Sequence, residues 1–487
     1  MRTERGVMVL LALATLAVLI PASRVAPDRT TLVFTLWGMP FEDLLFRDRY
    51  ARGYELVRPG VRVDYQRHGQ DLLAKYNAWH AVGKGADVMR LRVTEYHGMI
   101  DRGMLEPLTP YIRSADPDLA LSDADWLDIP AHLREIIAVD GEVYAVPEDN
   151  AQYGLFYNRA IFDAHNAAHP DRRVGYPSPD WTWTDLRRAA RLLTIRLPDG
   201  RFTQRGLDFH IWAWPFMTFF AQAGGELWSD DALTCLIDSD AGVRTLEFFR
   251  ALQREDASFA PTFGWDTGVG AEARFAAGQT AMYLDGSWRV PNFEIVAPGL
   301  DFAVSALPRG DRPGVVSGCV LWGISSNARH KEEAWRMIRW LTATEQAIAY
   351  WDTLRVAPPA RRSVLESESF RHTRGIERPG RPGVYEVPPL LPETFGPRAA
   401  WLLHANQPHP LTGEPPGFVP VHQYQTELEA IIQRTLETYL NASNTEDART
   451  VLRRAVREIH GVIDRERAAR GLPKALRGDS PSPKTTP

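Results

Sequence analysis

Glu148, Asp149 and Asn150 form a polar knot between two apolar runs, Val143–Val146 and Tyr153–Tyr157. Together with Asp285, these carboxylates could pair as the acid and nucleophile of a glycosidase, but their spacing sets no carboxyl separation. His165 and His169 lie four apart, which suits two metal ligands on one helix face, yet no third ligand stands nearby. The chain carries no nucleophile elbow, P-loop, dinucleotide fingerprint or zincin helix pattern. No metal or cofactor is expected. An enzyme is therefore allowed but unsupported. Carboxylates and amides accept from and donate to hydroxyls, and the 15 tryptophans suit either core filling or stacking on sugar rings and other amphipathic ligands.

The elements that must hold these groups are those of an ordinary globular protein, with 44% hydrophobic and 24% charged residues. At 487 residues the chain exceeds what a single core usually serves, so two domains are expected. A net charge of −5 gives no basic excess for nucleic acid or an anionic membrane surface. Arg2 and Arg5, the apolar run Val7–Ile20 and Pro21–Ala22–Ser23 read as a secretory signal, short for a membrane span. No cysteine near its end would take a lipid anchor. Cys235 and Cys319 are read as two separate thiols.

Strands are expected at Thr31–Leu36, Val61–Tyr65 and Ala86–Leu91, alternating with a helical segment after Phe41 and with helices over Asp71–Ala81 and Thr94–Arg102. This alternation makes a parallel sheet, whose ligands sit beyond the carboxyl ends of the strands, here Trp37–Gly38 and Arg90–Arg92. Pro147 is expected to stop the strand that Val143–Val146 begins. Thr182 and Asp185 resemble a capping box for a helix over Trp183–Thr194. The aromatic-rich Ile211–Gln222 ends at Gly224–Gly225, a helix follows at Ala241–Gln253, and a strand at Thr280–Leu284 runs into Asp285–Trp288. The small residues of that turn would let a ligand approach the backbone. Strands are expected at Phe302–Leu307 and Val315–Ile324, and a helix at Glu332–Leu341. From Glu366 to Pro420 the chain is Pro-, Arg- and Gly-rich and reads as a long irregular excursion. Helices at Tyr424–Tyr439 and Thr445–Arg467 precede a tail expected to be disordered.

The order of several stretches resembles the extracellular solute-binding proteins of sugar-importing ABC transporters, the family that includes maltose-binding protein. They are Gly85–Val88, Gly103–Leu108, Tyr144–Pro147 with Leu155–Asn158, Trp183–Leu186, Phe275–Met282, Gly286–Trp288 and Ser317–Leu341 with Pro358 after it. The resemblance implies an α/β, two-lobed periplasmic-binding-protein fold of type II with three interlobe crossings, near Pro147, Ser317 and Arg361. It divides the chain into a signal at 1–26, one lobe of 27–146 and 318–361, another of 147–317 and 362–470, and a tail at 471–487. The implied ligand-binding residues are Trp37, Arg90, Asp149, Asn150, Trp212, Trp214, Ser287, Trp288, Gly318 and Trp322. The implied role is a periplasmic monomer without enzymatic activity. It would capture a carbohydrate by hinge closure and deliver it to the permease subunits of an ABC transporter, touching the membrane only through the permease or an uncleaved N-terminus. Two alternatives stay open, a ligand-sensing partner of a membrane receptor and an exported carbohydrate-active enzyme. Glu148 departs from the family, which usually carries Tyr or another neutral residue there, and the excursion is longer than usual.

Overall fold

The computed structural model describes residues 29–475, apart from 70, 264–269, 379, 407–416 and 419. The apolar leader and most of the tail lie outside the described residues. Two main sheets are built from β1 (Thr30–Trp37), β2 (Val61–His68), β3 (Val88–Arg92), β4 (Ala145–Pro147), β5 (Ala151–Asn158), β6 (Ile195–Arg196), β7 (Phe202–Asp208), β8 (Thr280–Gly286), β9 (Phe302–Ser305), β10 (Ser317–Gly318) and β11 (Val320–Gly323).

The first sheet runs β2-β1-β3-β11-β4. Its first three strands pair in parallel, as the strand–helix alternation requires. Helix Leu72–Ala81 joins β2 to β3, and helix Val93–Asp101 follows β3. β11 then enters antiparallel between β3 and β4. Pro147 stops its strand as expected. It is the last paired residue of β4, opposite Leu321, and it is tolerated because β4 is the edge strand. The segment after Phe41 is less regular than its periodicity implies. It includes a π-helical stretch, Phe46–Ala51, which buries Phe46, Tyr50 and Ala51 together.

The second sheet runs β9-β5-β8-β7-β6, with β10 paired to the start of β5. The expected strand Val315–Ile324 is therefore two strands in two sheets, divided at Cys319. The chain also passes between sheets within Glu148–Asn150, which separates β4 from β5. Residues 358–360 run beside that passage. Asn150 N–H donates to Pro358 O (2.8 Å), Ala360 N–H to Glu148 O (3.1 Å) and Glu148 N–H to Val320 O (2.8 Å).

Each sheet has its own core. Leu32, Phe34, Leu36, Leu91 and Leu321 bury against Met337, Ile338 and Leu341 of helix Lys331–Leu341 in the first. Helices Trp183–Leu192, Ala213–Gln222, Asp240–Arg254, Gln425–Tyr439 and Ala448–Ala469 supply most of the second. The first of these carries the expected box: Asp185 N–H donates to Thr182 Oγ1 (3.3 Å), and Thr182 N–H donates to the Asp185 carboxylate (2.9 Å). A third core joins Phe156, Tyr283 and Phe293 to Trp351, Phe370, Phe395 and Trp401. Phe370, Phe395 and Trp401 of the Pro-rich excursion thus coat the second sheet, and Trp401 packs there against Gly154. Cys235 and Cys319 are separate buried thiols. No helix among the described residues is long and apolar enough to cross a membrane.

Candidate functional site

Arg90 stands at the carboxyl end of β3, as the strand rule anticipates, but it is only 3% exposed. Its guanidinium donates to both oxygens of Glu148 (3.2 and 2.6 Å) and to Trp37 O (3.0 Å), and lies 3.5 Å from Glu42. Burial pushes the carboxyls of Glu42 and Glu148 upward, against the pull of Arg90. Asp149, which adds to the shift of Glu148, accepts from Val320 N–H (3.0 Å) and Tyr350 Oη–H (2.6 Å). Asn150 Nδ2–H donates to His132 Nε2 (3.1 Å). This polar knot ties chain passages together. Arg90 and Asp149 direct their charged groups at other protein groups.

Trp322, named by the resemblance, is 1% exposed and wedged against Phe34 and Phe46, with ring centroids at 5.3 and 6.0 Å. It fills the first core and offers no open face. Ser287 is likewise buried, and its hydroxyl donates to Val356 O (2.7 Å). The backbone space expected to admit a ligand after Asp285 is taken from within. A Cβ on Gly286 would stand 2.1 Å from Trp288 Cη2, so that indole lies across the glycine. Gly318 does the same for Trp214, whose Cη2 would stand 2.5 Å from an added Cβ. Asp285 accepts from Arg289 Nε–H (2.7 Å) and from Tyr283.

Four rings gather between the sheets. Trp212 precedes helix Ala213–Gln222 and Trp214 opens it, and the two indoles stack at 5.1 Å and 9°. Tyr153 of β5 lies 6.2 and 5.9 Å from them, and Trp288 meets it edge-on at 5.7 Å. Trp288 is half-buried and packs against both the first and the second core. On the facing sheet, Trp37 is half-buried beneath the guanidinium of Arg92 at 4.6 Å. Sequence reading missed Tyr153, hidden in an apolar run, and Glu429, which sits on a helix where carboxylates usually face solvent. Glu429 accepts from Gln425 Nε2–H (3.2 Å). Burial pushes its carboxyl up to about 7, with Glu95 adding to the shift.

Flat apolar faces beside hydrogen-bonding groups suit a ligand with both C–H faces and hydroxyls. The carboxylates that could have formed a hydrolytic pair, Glu148, Asp149 and Asp285, are each engaged by protein donors. His165 and His169 do adjoin, at 4.9 Å between rings, but no group of three or more possible ligands for a metal occurs among the described residues.

Residues 46–348 match the family of bacterial extracellular solute-binding proteins. The maltotriose-binding protein of Pyrococcus abyssi is 22% identical over 309 residues, which is 61% of this chain and 59% of that protein. Among solved structures, the Listeria monocytogenes ABC substrate-binding protein in complex with cycloalternan superposes with a TM-score of 0.68 at 18% identity, over 91% of this chain and 100% of that one. The Thermus thermophilus maltotriose-binding protein bound with maltotriose gives 0.65 at 18% identity, over 89% and 100%. These likenesses establish the α/β, two-lobed periplasmic-binding-protein fold of type II. With the family matched across most of both sheets, the chain belongs to the bacterial extracellular solute-binding proteins.

Proposed function

We propose that this protein is the carbohydrate-capturing component of an ABC importer. It acts in the periplasm, alters no bond in its ligand and delivers it to permease subunits. The observation that carries this reading is the ring cluster Tyr153, Trp212, Trp214 and Trp288 where the sheets meet, with Trp288 packed on both cores. Indole faces take the C–H side of a pyranose, and the surrounding amides and carboxylates take its hydroxyls. Similarity to proteins named for maltotriose binding supports an oligosaccharide.

In this reading one lobe comprises 27–146 and 318–361, and the other 147–317 and 362–470. The hydrogen-bonded passages Glu148–Asn150, Cys319 and 358–360 serve as the hinge, and closing over ligand completes the contacts of both lobes. Trp37, Trp212, Trp214 and Trp288 touch the ligand, joined by Tyr153. Arg90, Asp149, Asn150, Ser287, Gly318 and Trp322 hold those groups in place. The test is a thermal-melt screen of the full chain against oligosaccharides, followed by recovery of the compound. A ligand at ~100 times its dissociation constant adds about 2.7 kcal/mol. A shift with the sugar recovered intact is expected. A flat screen, or recovery of cleaved products, would overturn the proposal.

A further inference from the structure

Residues 371–387 of the Pro- and Arg-rich excursion play no part in the carbohydrate reading, and they build a short hairpin with an exposed turn. Its strands, Ile376–Glu377 and Tyr385–Val387, pair antiparallel. The base is anchored. Thr373 N–H donates to Leu390 O (3.0 Å) and Leu390 N–H to Thr373 Oγ1 (2.7 Å), while Phe370 stacks on Trp351 at 4.4 Å. The turn is closed by its own backbone. Arg378 N–H donates to Val384 O (2.7 Å), Arg381 N–H to Arg378 O (3.0 Å) and Val384 N–H to Arg381 O (3.1 Å). Gly380 and Gly383 supply the positive φ that this path needs, at 71° and 76°. Arg378, Arg381 and Val384 are all exposed on it.

From 371 to 384 the chain carries four arginines, Arg371, Arg374, Arg378 and Arg381, against one carboxylate, Glu377. Glu377 accepts from Gly383 N–H (3.0 Å), and Asp352 takes the backbone N–H of Arg374 (2.8 Å). Arginines elsewhere in this region do find carboxylates: Arg355 and Arg398 both reach Glu294, at 2.9 and 3.0 Å. Among the described residues none of the four hairpin arginines has an ion pair. Guanidinium forks pair bidentately with phosphate oxygens, and an exposed valine beside them suits the boundary where headgroups meet acyl chains. A stable protein partner needs about 800 Å² on each side, more than so short a turn presents, whereas a lipid surface is held by a few cations. We infer that this hairpin is a docking point for an anionic phospholipid surface, with Arg378 and Arg381 on headgroup phosphates. The chain as a whole, at −5, is repelled by such a surface, so the contact is confined to the hairpin and is sensitive to salt. It adds a membrane contact to those the family resemblance implies.

Hydrogen exchange of the full-length protein tests this, read over 376–387 by mass spectrometry with vesicles of phosphatidylcholine alone or with one-third phosphatidylglycerol. The reading is regional because the apolar run Val7–Ile20, with Arg2 and Arg5 before it, can bind lipid by itself. Exchange at 376–387 is expected to slow on the anionic vesicles only. The slowing should vanish at about 1 M salt, where the screening length is ~3 Å. Each interfacial arginine contributes about fivefold to partitioning. Arg378→Gln/Arg381→Gln should therefore need about 25-fold more anionic lipid for the same slowing. Unchanged exchange at 376–387, equal slowing on neutral vesicles, or slowing of the double variant at the wild-type lipid concentration would overturn the inference. So would slowing by a polyglutamate peptide without slowing by vesicles, which would mark an acidic protein as the partner. The comparison of vesicles stands without the variant, and melting curves establish that the variant is folded. Oligosaccharide binding should be equal in both proteins, so this inference and the carbohydrate reading fail separately.

Discussion

Gly318→Ala probes the ring cluster from behind. The added Cβ would lie 2.5 Å from Trp214 Cη2 and 3.1 Å from Cζ3, whereas carbon atoms in good contact stand about 3.5–4.0 Å apart. The indole edge must therefore retreat by about 1 Å. It cannot slide freely, because Trp212 stacks on it at 5.1 Å and Tyr153 closes another side at 5.9 Å. Moving the backbone instead would disturb β10, whose Gly318 pairs with Ala151 next to a chain passage. Overpacking of this kind costs about 1–3 kcal/mol of stability. A platform moved by ~1 Å should weaken ligand binding by about tenfold or more, ~1.4 kcal/mol. Urea denaturation gives the first quantity, and the circular-dichroism couplet of the stacked indoles reports the displacement directly. Gly60→Ala is the control, since nothing lies within 4 Å of its added Cβ. If Gly318→Ala keeps wild-type stability and an unchanged couplet, the packing argument fails.

Trp288→Ala removes the ring shared by both cores, and sugar affinity should fall by ~1–3 kcal/mol, as for buried aromatic anchors; calorimetry with unchanged affinity would exclude it from the site. Arg90→Met strands two buried carboxylates, Glu42 and Glu148, and should cost about 3–5 kcal/mol. Glu148→Gln leaves Arg90 with Glu42 and should cost no more than about half of that, so equal losses on denaturation would refute this ranking. His422 is 8% exposed, donates through Nε2 to Ala232 O (2.8 Å) and accepts at Nδ1 from Tyr424 N–H (3.2 Å). Burial holds its pKa down at about 4, against 6.5 ordinarily. The unfolded chain therefore binds the extra proton first. Its contribution is complete above pH 6.5 and is lost as pH falls toward 4, up to about 3 kcal/mol. Denaturation series at pH 7 and 4.5 should show this loss in the wild type and a smaller one in His422→Gln.

Local signals in the sequence were read correctly wherever the chain's neighbours in space are also its neighbours in sequence. The alternation through residue 102 yields the parallel half of the first sheet, and the Thr182–Asp185 box starts its helix where expected. Gly224 and Gly278 terminate their helices with positive φ. Long-range pairing left no such mark. Nothing in Val315–Ile324 signals that Cys319 divides it between two sheets, because the residues on either side of Cys319 are nearly all buried and show no change of pattern there. Pro147 ends its strand as its residue type implies, but its place at a sheet edge left no mark, because that edge depends on β11 arriving from far along the chain. The tryptophans were recognised as candidates, but their types could not separate Trp322, sealed in the core, from Trp288, which borders both lobes.

The placement of β11 also bears on how the protein reaches its folded state. Until Trp322 finds Arg90 and Val146, the first sheet remains two fragments with unpaired edges. Residues made first must therefore wait for residues made much later, and such non-local closure slows folding. A newly made chain would therefore keep its first sheet open until the residues near 320 are available. The same delay leaves the exposed edge of β3 available to another chain, so refolding from denaturant should aggregate more as protein concentration rises.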